Sequence, residues 1–244
     1  MNWREFFEGY RLIDIASDKD LLFQVGATVG GQPISKQQFD QTIRDAESAL
    51  RLSNDDRLLD LCCGNGVITH ALGPKVKSVV GVDFSKPYIG NAQKYKSAIN
   101  IEYHCGDVCD LRSLAAISGA KFTKVLIHSA LAYFTREQCF GLLSNLNGFI
   151  TDDARIFIAA VPDAGRKWRF YNTPGRALRY LWGACLGRES GIGKWWMKSE
   201  LEDVCRKVGL QCCFSDPHPI LHVAHYRFDV IITKARGSGQ QNPQ

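Results

Sequence analysis

The chain of 244 residues is long enough to bury one sizeable α/β core and too short for two large domains. Apolar and charged fractions of 45% and 23% are those of ordinary globular proteins, which argues against a disordered or fibrous chain. No apolar run approaches the roughly 20 residues that cross a bilayer. Met1-Asn2-Trp3-Arg4-Glu5 lacks a basic segment followed by an apolar one, so a cytoplasmic protein with no membrane partner is expected.

The nine cysteines are odd in number and scattered, with adjacent pairs at Cys62-Cys63 and Cys212-Cys213 that make a poor disulfide framework. Reduced thiols are expected. Cys105 and Cys109 lack a CxxC or His-x-x-x-His partner, so no metal is expected. The net charge of +5 is mild, but Arg166, Lys167, Arg169, Arg176, Arg179 and Arg188 fall in one stretch with no acid between them. Such a stretch could meet an anionic partner.

In chain order, residues 3 to 15 and 35 to 52 read as helices. In the second, Ser35 and Gln38 suggest a capping box, and Phe39, Ile43, Ala46 and Leu50 recur at helical spacing. Between them Gly30-Gly31-Gln32-Pro33 is expected to break regular structure. From Arg57 the pattern changes to short apolar runs alternating with helical segments: Leu58 to Leu61, Ser78 to Val82, Ile101 to His104, Lys124 to His128 and Arg155 to Val161. That alternation predicts βαβ units and a parallel sheet. A helix from Arg136 to Ile150 opens on a capping box of Thr135 and Gln138, with Leu142, Leu143, Leu146 and Ile150 on its buried side.

About 35 residues rich in Gly, Arg and aromatics follow Val161, longer than the usual connection and so expected to be functional. A last helix capped by Ser199 with Glu202 and ended by Gly209 leads to strand-like runs at Leu210 to Phe214 and Tyr226 to Lys234. The organisation expected is a single domain over 1–236. It divides into an N-terminal helical cap (1–54), a core (55–161), a substrate lid insertion (162–197) and a C-terminal helix with strands (198–236), followed by a disordered tail (237–244).

The most informative segment is Leu58-Leu59-Asp60-Leu61-Cys62-Cys63-Gly64-Asn65-Gly66-Val67-Ile68-Thr69, a buried strand running through a glycine turn into a helix. Glycines let the backbone come close to a ligand there, and the helix start offers free N–H groups. Asp83 ends the next strand, followed by Phe84, and can accept both hydroxyls of a ribose. One strand later Gly106-Asp107-Val108 places a second acid at the same sheet edge, where it can accept an adenine amino group.

These segments resemble the class I S-adenosylmethionine-dependent methyltransferases, whose nucleotide loop reads acid-x-Gly-x-Gly-x-Gly. Cys62 replaces the first glycine, which requires a small side chain turned from the ligand. The resemblance covers about residues 55 to 165. It implies that Asp60 and the turn from Cys62 through Cys63, Gly64, Asn65 and Gly66 hold the methionine end of S-adenosylmethionine, Asp83 and Phe84 the ribose, and Gly106, Asp107 and Val108 the adenine. The fold implied is an α/β, Rossmann-like, doubly wound, mostly parallel seven-stranded sheet with an antiparallel last strand. An NAD-type loop would need Gly where Thr69 stands.

His128, at the end of the fourth strand beside the expected sulfonium position, is a candidate general base or a residue lining the cofactor pocket. Asp163 after the fifth strand and His225 before the last are further catalytic candidates. Tyr133, Arg166, Trp168, Tyr171, Trp195, His222 and Arg227 are candidate substrate contacts, because flat rings beside cations suit a sugar, nucleotide or phosphorylated acceptor. A loose likeness to methyltransferases of polysaccharide and natural-product clusters implies O-methylation of a small polar molecule, with no nucleic-acid partner expected. The alternatives are an RNA-binding protein or RNA methyltransferase, and a non-catalytic relative of the fold.

Overall fold

The computed structural model describes residues 3–10, 13–114, 117, 119–186 and 192–235. The chain opens with α1 (Trp3–Gly9) and α2 (Asp18–Gln24). The predicted helix over 3 to 15 is therefore cut short, and a helix not foreseen follows it, started by Asp20 accepting the Ala16 and Ser17 N–H groups at 3.0 and 2.8 Å. Gly30 and Gly31 do not break the structure as expected. Both adopt positive φ (+59° and +81°) and turn a two-residue ladder in which Thr28 pairs Pro33 and Val29 pairs Gln32, the backbone a tight hairpin requires.

Helix α3 (Lys36–Leu50) is N-capped by Ser35, which accepts the Gln38 N–H. The Gln38 side chain donates to the Ile220 carbonyl at 2.9 Å and ties α3 to the far end of the chain.

Among the described residues seven strands form one sheet: β1 (Arg57–Leu61), β2 (Ser78–Asp83), β3 (Ile101–Cys105), β4 (Phe122–His128), β5 (Ile150–Pro162), β6 (Leu210–Ser215) and β7 (Arg227–Lys234), in the order β3-β2-β1-β4-β5-β7-β6. β1 to β5 run parallel, and β7 is antiparallel to both its neighbours, as the Rossmann-like reading expects. Between them lie α4 (Val67–Leu72), α5 (Lys86–Tyr95), α6 (Arg136–Leu146), α7 (Lys167–Phe170), α8 (Pro174–Cys185) and α9 (Lys198–Lys207).

Both faces of the sheet are covered, which is why its strands read as near-continuous apolar runs. Leu142, Leu143 and Leu146 of α6 and Leu201, Val204 and Cys205 of α9 pack on one face against Val125, Ile127, Ile156 and Val230. Ala46 and Leu50 of α3 with Ile89 and Ala92 of α5 pack on the other, against Leu58, Val79, Leu126 and Phe157.

Three boundaries differ from the sequence reading. Helix α6 stops at Leu146, and Ile150 begins β5 instead of ending the helix, because Asn147, Gly148 and Phe149 turn the chain back so that Phe122 donates to the Phe149 carbonyl. β5 is longer at its start than predicted. Helix α9 begins at Lys198, where Glu200 accepts the Met197 N–H at 2.9 Å, so Ser199 and Glu202 lie inside the helix. The tail 237–244 lies outside the described residues.

Candidate active site

Parallel pairing in register brings the C-terminal strand ends together: Leu61 beside Val82 and Ile127, Asp83 beside Cys105, His128 beside Ala159. Asp83 links three segments. Its Oδ2 accepts the Gly64 N–H at 3.0 Å, its Oδ1 accepts the Ser85 N–H at 2.9 Å, and its carbonyl accepts the Gly106 N–H at 2.9 Å. A carboxylate offers about four lone-pair sites, so both oxygens keep capacity for ligand hydroxyls. Burial raises the Asp83 pKa, and the two N–H donors hold it back.

Asp60 is more deeply buried and is pushed up to about 7 by that burial, against a 2.6 Å bond from the Thr69 hydroxyl. A cation beside it would favour its ionised form. Asp107 accepts the Cys109 N–H at 2.9 Å. Asp60, Cys62, Cys63, Asp83, Phe84, Asp107, Val108 and His128 border one cavity of about 1320 Å³. That exceeds the roughly 300–1,000 Å³ of ordinary ligand pockets and leaves room for two molecules side by side.

Gly64, Asn65, Gly66 and Gly106 shape the turn from behind and do not border the cavity. Gly66 has φ +76°, and a Cβ there would lie 2.6 Å from the Tyr103 hydroxyl. Asn65 faces away: its amide donates to the Leu21 carbonyl at 2.8 Å and to Gln24 Oε1 at 2.9 Å, fastening α2 over the turn. Cys62 borders the cavity instead of standing clear of it, with φ +61°, the left-handed backbone a glycine takes freely and other residues adopt at about 1–2 kcal/mol.

Two more non-glycine residues on this wall share that backbone, Ser129 (φ +55°) and Ala160 (φ +59°). Ala159 and Ala160 form a bulge where the β5–β7 register shifts between Ile158 and Val161. Asp229 Oδ1 accepts the Ala160 N–H at 2.7 Å, and Arg227 Nη1 donates to the Ala160 carbonyl at 2.9 Å. Strain of this kind persists where surrounding bonds over-determine it, and it clusters at functional sites. Burial, then the charge of Arg227, lowers the His128 pKa to about 4, so its imidazole is neutral at pH 7.

Tyr133, Trp195, His222 and Arg227 border the cavity, as substrate contacts must. Arg166, Trp168, Tyr171, Asp163 and His225 do not. Arg166 pairs with Asp163 at 3.3 Å and Asp216 at 2.7 Å, Asp163 caps the following turn through the Gly165 N–H at 2.8 Å, and His225 is exposed with its ring edge-on to Tyr226. Trp168 is exposed and Tyr171 stacks on Tyr180 with centroids 4.4 Å apart.

Sequence reasoning missed the opposite wall: Phe6, Phe7 and Tyr10 from the N-terminal segment, and Gln38, Thr42 and Asp45 from α3. The latter three stand at i, i+4 and i+7, a polar stripe beside the apolar one, and that spacing is the signal that could have found them. Three buried polar atoms here lack a hydrogen-bond partner among the described residues, Asp45 Oδ2, Trp195 Nε1 and Arg227 Nε.

Residues 58–152 match a family described as a methyltransferase domain. This stretch is similar to that family over about two fifths of the chain. A segment of 64 residues, 25% of the chain and 10% of the relative, is 39% identical to the tRNA (uracil-5-)-methyltransferase homolog A of Mus musculus. Over 106 residues, 41% of the chain and 24% of the relative, it is 35% identical to the 23S rRNA (uracil(1939)-C(5))-methyltransferase RlmD of Haemophilus parainfluenzae. The chain thus spans a quarter or less of the length of these relatives. A crystal structure of magnesium protoporphyrin IX methyltransferase from Synechocystis PCC 6803 with bound SAH superposes with a TM-score of 0.62 and 14% identity, covering 96% of this chain and 98% of that one. That likeness shows a shared fold over nearly the whole chain.

Proposed function

We propose that the chain is an S-adenosylmethionine-dependent methyltransferase acting on a small polar acceptor, with O-methylation of a sugar, nucleotide-sugar or natural-product intermediate as its reaction. The observation that carries this reading is the bridge at Asp83: one carboxylate tied to the glycine turn and to the third strand end, between Asp60 and Asp107, on the wall of a cavity larger than one ligand needs. The donor set fits the cofactor. The buried Asp83 carboxylate can accept ribose hydroxyls and the half-buried Asp107 an adenine amino group, and Asp60 sits where a cationic end is favoured.

When bound, that cofactor supplies the methyl group to be displaced. The chain's residues then align and desolvate: Phe6, Phe7 and Tyr10 close the cavity on one side and Trp195 with His222 on the other, which is most of what direct displacement requires. His128, neutral at pH 7 and half-buried on the cavity wall, can accept or donate a hydrogen bond to a bound molecule. An imidazole whose acid form ionises near 4 is a weak base at neutral pH, which supports a positioning part for His128. Arg227 Nε and Trp195 Nε1 supply donors and Asp45 Oδ2 an acceptor for the acceptor molecule's polar groups.

A second reading, methylation of RNA, is favoured by the segmental similarity to the two uracil methyltransferases. The two separate in one assay. Incubation with methyl-labelled S-adenosylmethionine and either the small-molecule or the RNA fraction of a cell extract is expected to label the small-molecule fraction. Label confined to RNA overturns the acceptor assignment, and label in neither overturns the activity.

A further inference from the structure

Helix α8 is turned with its apolar side to water. At 100° per residue, Leu178, Leu181, Trp182 and Cys185 share one face, and all four are exposed, Leu178 at 66% and Trp182 at 71%. Leu186 just past the helix end and Trp168, edge-on to Tyr180, are also exposed. The opposite face carries Tyr180, which stacks on Tyr171, lies 4.1 Å beneath Lys167 Nζ and borders the cavity. Helix α8 is therefore a roof with an apolar outer surface. Soluble proteins rarely leave such a cluster uncovered without a use for it.

The charge of the chain is concentrated in the same place. Residues 164–186 hold Arg166, Lys167, Arg169, Arg176 and Arg179 and no acid, so this segment alone accounts for the formal +5 of the chain. Arg169, Arg176 and Arg179 are exposed, with no carboxylate within 4 Å among the described residues. We propose that α7 and α8 form a peripheral docking surface for an anionic lipid bilayer. Leu178, Leu181 and Trp182 enter the boundary between headgroups and acyl chains, and Arg179, exposed at the edge of that face beside Trp182, meets lipid phosphates.

The alternatives fit less of the surface. A second copy meeting this face symmetrically would set its arginines against their own images. RNA would pair with the arginines and stack on the rings, but it leaves the leucines in water. No helix of the described residues is long and apolar enough to cross a membrane, and docking needs none. The proposal departs from the sequence-based expectation of no membrane partner. The proposal stands independently of methyl transfer.

The test is co-sedimentation of the full chain with extruded vesicles of phosphatidylcholine alone or mixed with phosphatidylglycerol, with tryptophan emission read in parallel. Binding is expected to the anionic vesicles, weakening as salt is raised, with a blue shift that Trp182→Phe removes. The pair Leu178→Ser and Trp182→Ser is expected to lower partitioning at least about tenfold, and Arg179→Gln about fivefold. Because these side chains are exposed, melting temperature and S-adenosylmethionine affinity should stay as in the wild type. A chain that stays in the supernatant, self-associates by light scattering without lipid, binds RNA more tightly than vesicles, or partitions equally with and without Leu178 and Trp182 overturns the proposal.

Discussion

Asp229 and Arg227 share one face of β7, yet Asp229 bonds the Ala160 N–H across the bulge and forms no ion pair with its neighbour among the described residues. Burial pushes its carboxyl up to about 6, against the Ala160 bond. A folded pKa above the unfolded value means that its contribution to stability is present below about pH 3.8 and is lost as pH rises through about 6. Asp229→Asn keeps an oxygen for Ala160 and removes the ionisation penalty, so at pH 8 it is expected to stabilise the fold by about 1–3 kcal/mol, with little gain at about pH 3.5. Denaturant melts at the two pH values check this, and an equal effect at both contradicts it. His128 has the opposite sign: its folded pKa of about 4 lies below the unfolded 6.5. The stability it confers is present above pH 6.5 and lost as pH falls through about 4. His128→Asn should flatten that part of the stability profile, and an unchanged slope would show that the histidine is not desolvated.

At the scale of elements, the glycine turn and α2 form one unit. Asn65 bonds Leu21 and Gln24, Gln24 Oε1 also accepts from Asn91, and the Tyr88 hydroxyl donates to the Gln24 carbonyl. Asn65→Ala removes two buried bonds, to the Leu21 carbonyl and to Gln24 Oε1, which keep their bonds from Val25 and Asn91, and is expected to cost about 1–3 kcal/mol. Proteolysis should then open the chain near α2 before the sheet unfolds, and a variant that resists cleavage there like the wild type would separate α2 from the turn. The strands β1, β2 and β4 were legible as buried apolar runs, and β3 by the alternation of buried Ile101 and Tyr103 with exposed Glu102 ahead of Gly106. The start of β5 was not, since Thr151, Asp152 and Asp153 are polar and lie where the register with β4 slips. Helix α2 was hidden by its seven residues, too few for periodicity to register, although Ser17 and Asp20 mark its start.

Across the whole molecule, the two halves of the cavity differ in how far the sequence reveals them. Asp60, Asp83 and Asp107 follow successive strands, and parallel topology alone places such residues side by side, so that wall could be read without coordinates. The other wall is assembled from distant parts of the chain: Gln38 meets Ile220, the Tyr88 hydroxyl donates to the Tyr10 carbonyl, and Arg227 reaches Ala160. No local pattern encodes those meetings, and so Arg166, Trp168 and Tyr171 were expected in a site that instead holds Tyr180, Asp45 and Asp229.

The account depends on the Asp83 bridge holding the nucleoside. Calorimetric titration of S-adenosylmethionine into the wild type and into Asp83→Ala tests it most directly. One site per chain is expected in the wild type, with a loss of at least about 1.5 kcal/mol of binding free energy, tenfold or more in affinity, in the variant. Absence of binding to the wild type, or equal affinity in both proteins, would contradict it.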